Sequence, residues 1–207
     1  MNTKIKICGM TNVSNALFAA ELGADMIGFI FVPSSPRYVT PAQAAEIVCQ
    51  LPENVTPVGV FANESETRIR SIMQRTGIRM LQLHGNESPE ECARYSGDVI
   101  KAFHVKDGFD PSVLKQYPTS LFLLDTFSSQ ALGGTGKTFN WDIAVEAKKY
   151  GNIMLAGGLN PENISEAITR VHPYGVDINS GVESSPGKKD HAKLKALFEQ
   201  IRKKELA

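Results

Sequence analysis

Three things are scarce in this 207-residue chain, and each scarcity closes off a class of function. Cysteine is rare and odd in number: Cys8, Cys49 and Cys92 stand far apart, with no CxxC pair and no Cys/His ligand spacing. Neither a disulfide framework nor a zinc site is expected, and the usage suits a reducing cytoplasm. Net charge is missing too, since Lys+Arg and Asp+Glu are both 22. A neutral chain has no overall field to gather a polyanion, so no nucleic-acid partner is expected. An anionic small molecule would have to be held by local groups. No apolar run reaches the length of a membrane span, so no membrane partner is expected. Met1-Asn2-Thr3-Lys4 leads straight into an apolar strand, without a signal or transit pattern.

What is present is a rhythm. Hydrophobic residues make up 42% of the chain, enough for a substantial core, and no linker or composition break divides positions 1–207. Short apolar runs fall at Lys4–Cys8, Met26–Phe31, Pro57–Phe61, Met80–His84, Val99–Val105, Leu121–Asp125, Ile153–Ala156 and Val176–Asn179. Their spacing is that of a strand plus a crossover helix. Helix-start chemistry fills the gaps. Thr40-Pro41-Ala42-Gln43 and Ser88-Pro89-Glu90-Glu91 place a hydroxyl at the N-cap, Pro at the first helical position and a Gln or Glu three residues on. Asn160-Pro161-Glu162 offers a further N-cap. Val13, Ala16, Leu17 and Ala20 space a first helix that stops at Gly23, and a last helix is expected from about Asp190 to Lys204. Alternating elements of this kind give a parallel sheet with right-handed crossovers. Eight units in so short a chain predict an α/β fold, a single-domain (β/α)₈ barrel of the TIM class; an open doubly wound sheet is the alternative. The longest irregular stretch, Thr126–Asn140, follows the sixth strand, where a functional loop belongs.

Strands buried on both faces read as continuous apolar runs. Several here do not. Lys6 and Cys8 interrupt the first at period two, Gln82 and His84 the fourth, and Asp177 and Asn179 the eighth, while Asp125 ends the sixth. In a barrel one parity faces the helices and the other the axis. Ile5, Ile7, Leu81, Leu83, Val176 and Ile178 are therefore expected to face outward and the polar set inward, near the C-terminal strand ends that form the catalytic face of this fold. Cys8 shares parity with Lys6, whose ammonium would lower the thiol pKa and fit it for proton abstraction. Cys49 and Cys92 read as inert small core residues.

Several segments resemble, in order, the signatures of the phosphoribosylanthranilate isomerase family. They are Lys6-Ile7-Cys8-Gly9-Met10-Thr11, Ser35-Pro36-Arg37-Tyr38-Val39, Leu81-Gln82-Leu83-His84-Gly85, Leu124-Asp125-Thr126, Gly133–Phe139, Leu155-Ala156-Gly157-Gly158-Leu159 and Asp177–Glu183. The resemblance implies an Amadori rearrangement in tryptophan biosynthesis without metal or organic cofactor, by a monomer or homodimer. It implies Asp125 as general acid, with a raised pKa, and Cys8 as general base. Arg37 would hold the anthranilate carboxylate. Phosphate would sit at Gly157, Gly158, Ser180 and Gly181, after strands seven and eight. The family pattern has serine where Asn179 stands, and an asparagine can donate a hydrogen bond in its place. His84, Asp177 and Asn179 are secondary candidates.

Three other readings compete. Ala131–Thr138 matches a relaxed nucleotide phosphate loop, but it is set back from Asp125 and followed by Phe139-Asn140-Trp141 rather than running from strand into helix. A phosphate-binding epimerase or an indole-glycerol-phosphate synthase would call for a metal cluster or a catalytic lysine set. A catalytically dead scaffold barrel would not need both Cys8 and Asp125.

Overall fold

Runs rich in Ile, Val, Leu and Phe, each closed by a turn, form strands because branched and aromatic side chains pack well on a pleated surface. The computed structural model describes residues 3–95, 99–106, 108–125 and 141–205. Its strands are β1 (Lys4–Ile7), β2 (Met26–Ile30), β3 (Thr56–Phe61), β4 (Met80–Leu83), β5 (Val99–His104), β6 (Leu121–Asp125), β7 (Asn152–Ala156) and β8 (Gly175–Ile178). All pair in parallel in chain order, and β8 pairs back with β1 through Lys6↔Asp177 to close the barrel. The open-sheet alternative is thereby removed. The expected Thr126–Asn140 loop and the phosphate-loop-like Ala131–Thr138 lie outside the described residues.

The helices are α1 (Val13–Leu22), α2 (Pro41–Val48), α3 (Glu66–Thr76), α4 (Pro89–Cys92), α5 (Asp142–Ala147), α6 (Ile164–Val171) and α7 (His191–Glu205). A 3₁₀ helix, Pro111–Gln116, takes the place of a helix between β5 and β6. Both expected capping boxes form: Thr40 with Gln43, and Ser88 with Glu91. Asp190 caps α7, its Oδ1 accepting from the amides of Ala192 and Lys193. Two local expectations need correction. Asn160 heads a turn rather than a helix, accepting from the amides of Glu162 and Asn163, and α6 begins at Ile164. In α1 the expected Val13, Ala16, Leu17 and Ala20 stripe is shifted: Ala16 is buried together with Asn15 and Ala19, while Val13 and Ala20 pack half-buried against the core. Asn15 is buried because His191 of α7 hydrogen bonds its side chain at 3.0 Å while stacking on Phe18, which joins the first and last helices.

The core has two layers. Ile5, Ile7, Leu81, Leu83, Val176 and Ile178 pack outward against the helices, as their parity predicts. Met26, Val58, Met80, Ile100, Leu123 and Met154 fill the barrel interior. Above this apolar plug the inward positions turn polar, with Lys6 and Gln82 fully buried and Asp177 nearly so. Long apolar side chains thus hold the barrel shut, and the polar set lies at one end only. Cys92 is buried and its thiol is pushed up to about 11 by desolvation, in keeping with an inert core residue. Cys49 departs from that expectation: it is the exposed C-cap of α2.

Candidate active site

The functional side chains stand where the ladders run out. Cys8, His84 and Asn179 each lie one residue beyond the last paired residue of β1, β4 and β8, and Asp125 is the last residue of β6. One backbone hydrogen bond to a neighbouring strand still fixes Cys8 (amide to the Ile178 carbonyl, 2.9 Å) and His84 (amide to the Phe61 carbonyl, 2.7 Å). The side chains are therefore aimed by rigid strands while facing an open mouth. A cavity of about 160 Å³ there gathers Cys8, His84, Asp125, Asp177 and Asn179 with Gly157, Gly158, Ser180 and Gly181. Cys8 and Asp125 look into this shared space from β1 and β6, three places apart around the eight-strand ring.

Lys6 explains the electrostatics beneath Cys8. Its Nζ is buried 2.9 Å from Asp177 Oδ2. Burial alone would lower the Lys6 pKa, but the Asp177 carboxylate and Cys8 outweigh it and the ammonium is held above its ordinary value. The thiol goes the other way from expectation. Desolvation pushes the Cys8 pKa up, and the attraction of Lys6 does not overcome it because Asp177, already paired to Lys6, repels the thiolate. Space for the sulfur comes from Gly28 in β2: a Cβ there would fall 2.7 Å from Cys8 Sγ and 3.2 Å from Lys6 Nζ.

Asp125 stands beside two imidazoles. His84 Nε2 lies 3.5 Å and His104 Nδ1 3.9 Å from Asp125 Oδ2. Gln82 Nε2 lies 2.9 Å from His84 Nδ1. In that amide orientation Gln82 donates, so the His84 proton sits on Nε2, toward Asp125. Partial desolvation, reinforced by His84, holds the His104 pKa below the ordinary imidazole value. His104 escaped the sequence reading, although its period-two relation to Ile100 and Ala102 marks it as inward-facing. The turn that carries His84 is anchored from outside the barrel. Lys101 Nζ bonds Glu87 Oε2 and the Gly85 carbonyl, each at 2.7 Å, and Glu87 accepts from the amides of Asn63 and Gly85.

Arg37 does not line the cavity but sits at its edge. A Cβ on Gly9 would lie 2.8 Å from Arg37 Cδ and 2.7 Å from Asn179 Oδ1, so the arginine passes close by the loop that follows Cys8. Its guanidinium forks onto Glu183, with Nε 2.9 Å from Oε1 and Nη2 2.6 Å from Oε2. No partner among the described residues takes Nη1. Glu183 also meets buried Lys189 at 2.9 Å, and Lys189 reaches Asn179 Oδ1 at 3.1 Å. Glu183 and Lys189 belong to a short hairpin, β9 (Glu183–Ser185) and β10 (Lys188–Lys189), that the sequence did not announce. Its signal was a Glu and a Lys six residues apart around Pro186-Gly187.

The glycine pairs occupy the side fed by β7 and β8. Gly157 and Gly158 take φ of 90° and 69°, values open to glycine. Ser180–Val182 forms a single 3₁₀ turn. A side chain at Gly181 would run into the Leu159 carbonyl, so the two loops pack backbone to backbone. This wall presents main chain and small side chains, suited to an anion, beside the β4–β6 rim that carries His84, His104 and Asp125; Ala156, just before Gly157, pairs in register with Asp125.

A closed eight-stranded barrel with a thiol, a carboxyl group and a glycine-lined wall at the C-terminal strand ends defines a barrel enzyme that acts on a small anionic substrate. The family profile for N-(5'-phosphoribosyl)anthranilate isomerase matches residues 5–200. The protein of that name from Geotalea uraniireducens is 49% identical over 97% of this chain and 98% of its own length. The one from Pelobacter propionicus is 50% identical over 94% and 93%. Among solved structures, the phosphoribosylanthranilate isomerase of Thermotoga maritima superposes with a TM-score of 0.88 at 40% identity, covering 97% of this chain and 99% of that one. A structure of a phosphoribosylanthranilate isomerase in complex with reduced 1-(o-carboxyphenylamino)-1-deoxyribulose 5-phosphate gives 0.86 at 38%, covering 97% and 99%. The Thermotoga enzyme is described as dimeric. This chain belongs to the phosphoribosylanthranilate isomerase family.

Proposed function

We propose that the chain isomerises N-(5'-phosphoribosyl)anthranilate to 1-(2-carboxyphenylamino)-1-deoxyribulose 5-phosphate, the Amadori step of tryptophan biosynthesis, with Asp125 as acid and Cys8 as base. The observation that carries this reading is the shared cavity that both residues line. Asp125 donates its proton to the furanose ring oxygen as the C1–O bond breaks, and the amine lone pair forms a protonated Schiff base at C1. The Cys8 thiolate then takes the C2 proton. The C–H electrons become the C1=C2 bond and the iminium electrons return to nitrogen; the enolamine then takes a proton at C1 and releases its C2 hydroxyl proton, giving the C2 ketone. Two proton-transfer groups suffice, and no cofactor or metal enters the scheme.

The remaining groups bind and position. The Gly157-Gly158 turn and the Ser180-Gly181 turn receive the phosphate. Arg37 reaches the anthranilate carboxylate through the edge not taken by Glu183; the Glu183 fork fixes the plane of the guanidinium, and a fixed fork loses little freedom on binding. His84, held by Gln82, orients the Asp125 carboxyl, Asp177 sets the charge beneath Cys8, and Asn179 is steadied by Lys189. Every group sits on one barrel, so positions 1–207 act as one domain, as monomer or homodimer. The described helices include none long and apolar enough to cross a membrane. We place the reaction in the cytoplasm, with no nucleic-acid partner. The test is to add the chain to freshly generated phosphoribosylanthranilate and follow the loss of substrate fluorescence. Steady loss supports the reading, and an unchanged signal at micromolar protein removes it.

A further inference from the structure

We propose that His84 Nε2, His104 Nδ1 and Asp125 Oδ2 form a binding site for a divalent transition metal of the zinc class at the barrel mouth. The three donors come from consecutive strands. His104 and Asp125 are register partners of β5 and β6, and His84 follows β4. One ligand atom from each of the three residues lies within 4.8 Å of those of the other two. The His84 and His104 donors are 3.5 Å and 3.9 Å from the carboxylate oxygen. Tetrahedral ligands about 2.1 Å from a zinc ion are roughly 3.4 Å apart, so small side-chain rotations close the set around an ion. Two imidazoles with one carboxylate select zinc, cobalt or nickel over magnesium or calcium, which prefer all-oxygen shells.

A second observation comes from Gln82. It is fully buried, and its Oε1 has no hydrogen-bond partner. For His84 to ligate through Nε2, its proton must move to Nδ1, which now faces Gln82 Nε2 at 2.9 Å. Rotating the Gln82 amide by half a turn places the orphaned Oε1 there to accept that proton. Ligating histidines characteristically have such an outer partner, which fixes the tautomer and the ring. The rotation pairs Oε1 with the Nδ1 proton of a metal-ready imidazole and moves the amide nitrogen to the buried position that Oε1 leaves. The three ligands leave at least one coordination position facing the mouth, open to water or to an anionic ligand.

The consequence for turnover rests on the proposed role of Asp125. A carboxylate bound to metal has no proton to give, so zinc should inhibit. Cobalt is the probe for binding itself, because its visible absorption reports coordination without any turnover. The full chain, titrated with Co²⁺, should develop the bands of a four- or five-coordinate ion, and equimolar Zn²⁺ should erase them. His104 is largely exposed and has no part in the proposed reaction, so His104→Ala should keep basal activity while losing tenfold or more in Co²⁺ affinity and in sensitivity to Zn²⁺. No cobalt spectrum up to millimolar metal, or equal affinity in wild type and His104→Ala, would overturn the site. Binding that depends on His104 but leaves wild-type turnover untouched would uphold the site and instead remove Asp125 as the acid.

Discussion

Lys6 Nζ and Asp177 Oδ2 meet at 2.9 Å across β1 and β8, buried above the apolar plug of the barrel and next to Cys8. The pair closes the sheet electrically where the Lys6↔Asp177 register closes it mechanically. It also takes up the ammonium that would draw most strongly on the thiol proton, ahead of the weaker pull of Lys189. Burial then governs, and Cys8 is held above the ordinary thiol range.

The thiol of the free enzyme should therefore be protonated at neutral pH. In a Cys49→Ser, Cys92→Ser background, ultraviolet thiolate absorbance should rise with a midpoint above about 8.5, the unperturbed thiol value. The proposed base works only as thiolate, so its contribution to kcat/KM should grow as pH rises toward that midpoint. A midpoint below neutrality would mean that Lys6 outweighs desolvation.

Gly28 should be indispensable to chemistry while less critical to folding. In Gly28→Ala the new methyl meets Cys8 Sγ at 2.7 Å, and sulfur or backbone must shift. Overpacking of this kind costs about 1–3 kcal/mol, and a displacement of about 1 Å at a reacting atom costs on the order of 10²-fold in rate. Thermal melts and steady-state kinetics together check the split. A variant with full kcat would show that the thiol position has slack.

Arg37→Ala should chiefly raise KM, since the proposed carboxylate contact is kept through the reaction. Glu183→Ala should do more harm to the fold, because it leaves buried Lys189 without its carboxylate; breaking a buried pair from one side costs about 3–5 kcal/mol. Urea unfolding of the two variants distinguishes them. Equal stabilities would show that Lys189 finds compensation from Asn179 alone.

Acid should unfold the protein through two carboxylates in particular. For both Glu87 and Glu183, burial works to raise the pKa but hydrogen bonds from Lys101 and from Arg37 and Lys189 win, so the folded values are depressed. A depressed folded pKa contributes stability that is present above the unfolded value, about 4.3 for Glu, and lost as pH falls through the folded one. Stability should fall steeply below that pH, and Glu87→Gln should show a shallower fall from a lower starting point. An unchanged slope in Glu87→Gln would contradict its share.

The barrel was legible in the sequence because the strand runs and their parity are local. Ile5 and Ile7 against Lys6 and Cys8 tell inside from outside without any knowledge of neighbours. Capping boxes are legible for the same reason: Thr40 and Gln43 complete their bonds within one turn. Signs of electrostatic shifts were not. The pKa of Cys8 depends on Asp177, 169 positions away, which takes Lys6 for itself. The Arg37–Glu183 fork and the His84–His104–Asp125 cluster likewise join residues far apart or on separate strands, and nothing in a linear spacing signals them. Asn160 shows the local limit: an Asn-Pro start fits both a helix cap and a free-standing turn, and the chain uses the turn.

The central claim is that Cys8 and Asp125 move protons on one substrate in one cavity. Single-turnover rates of product formation, measured for Cys8→Ala, Asp125→Asn and the double variant at matched thermal stability, test it most directly. Each single change should slow product formation by on the order of 10³-fold or more, and the double variant should be far less impaired than the product of the two, because groups that act as a unit are not additive. A Cys8→Ala protein that turns over at the wild-type rate, or losses that multiply in full, would contradict it.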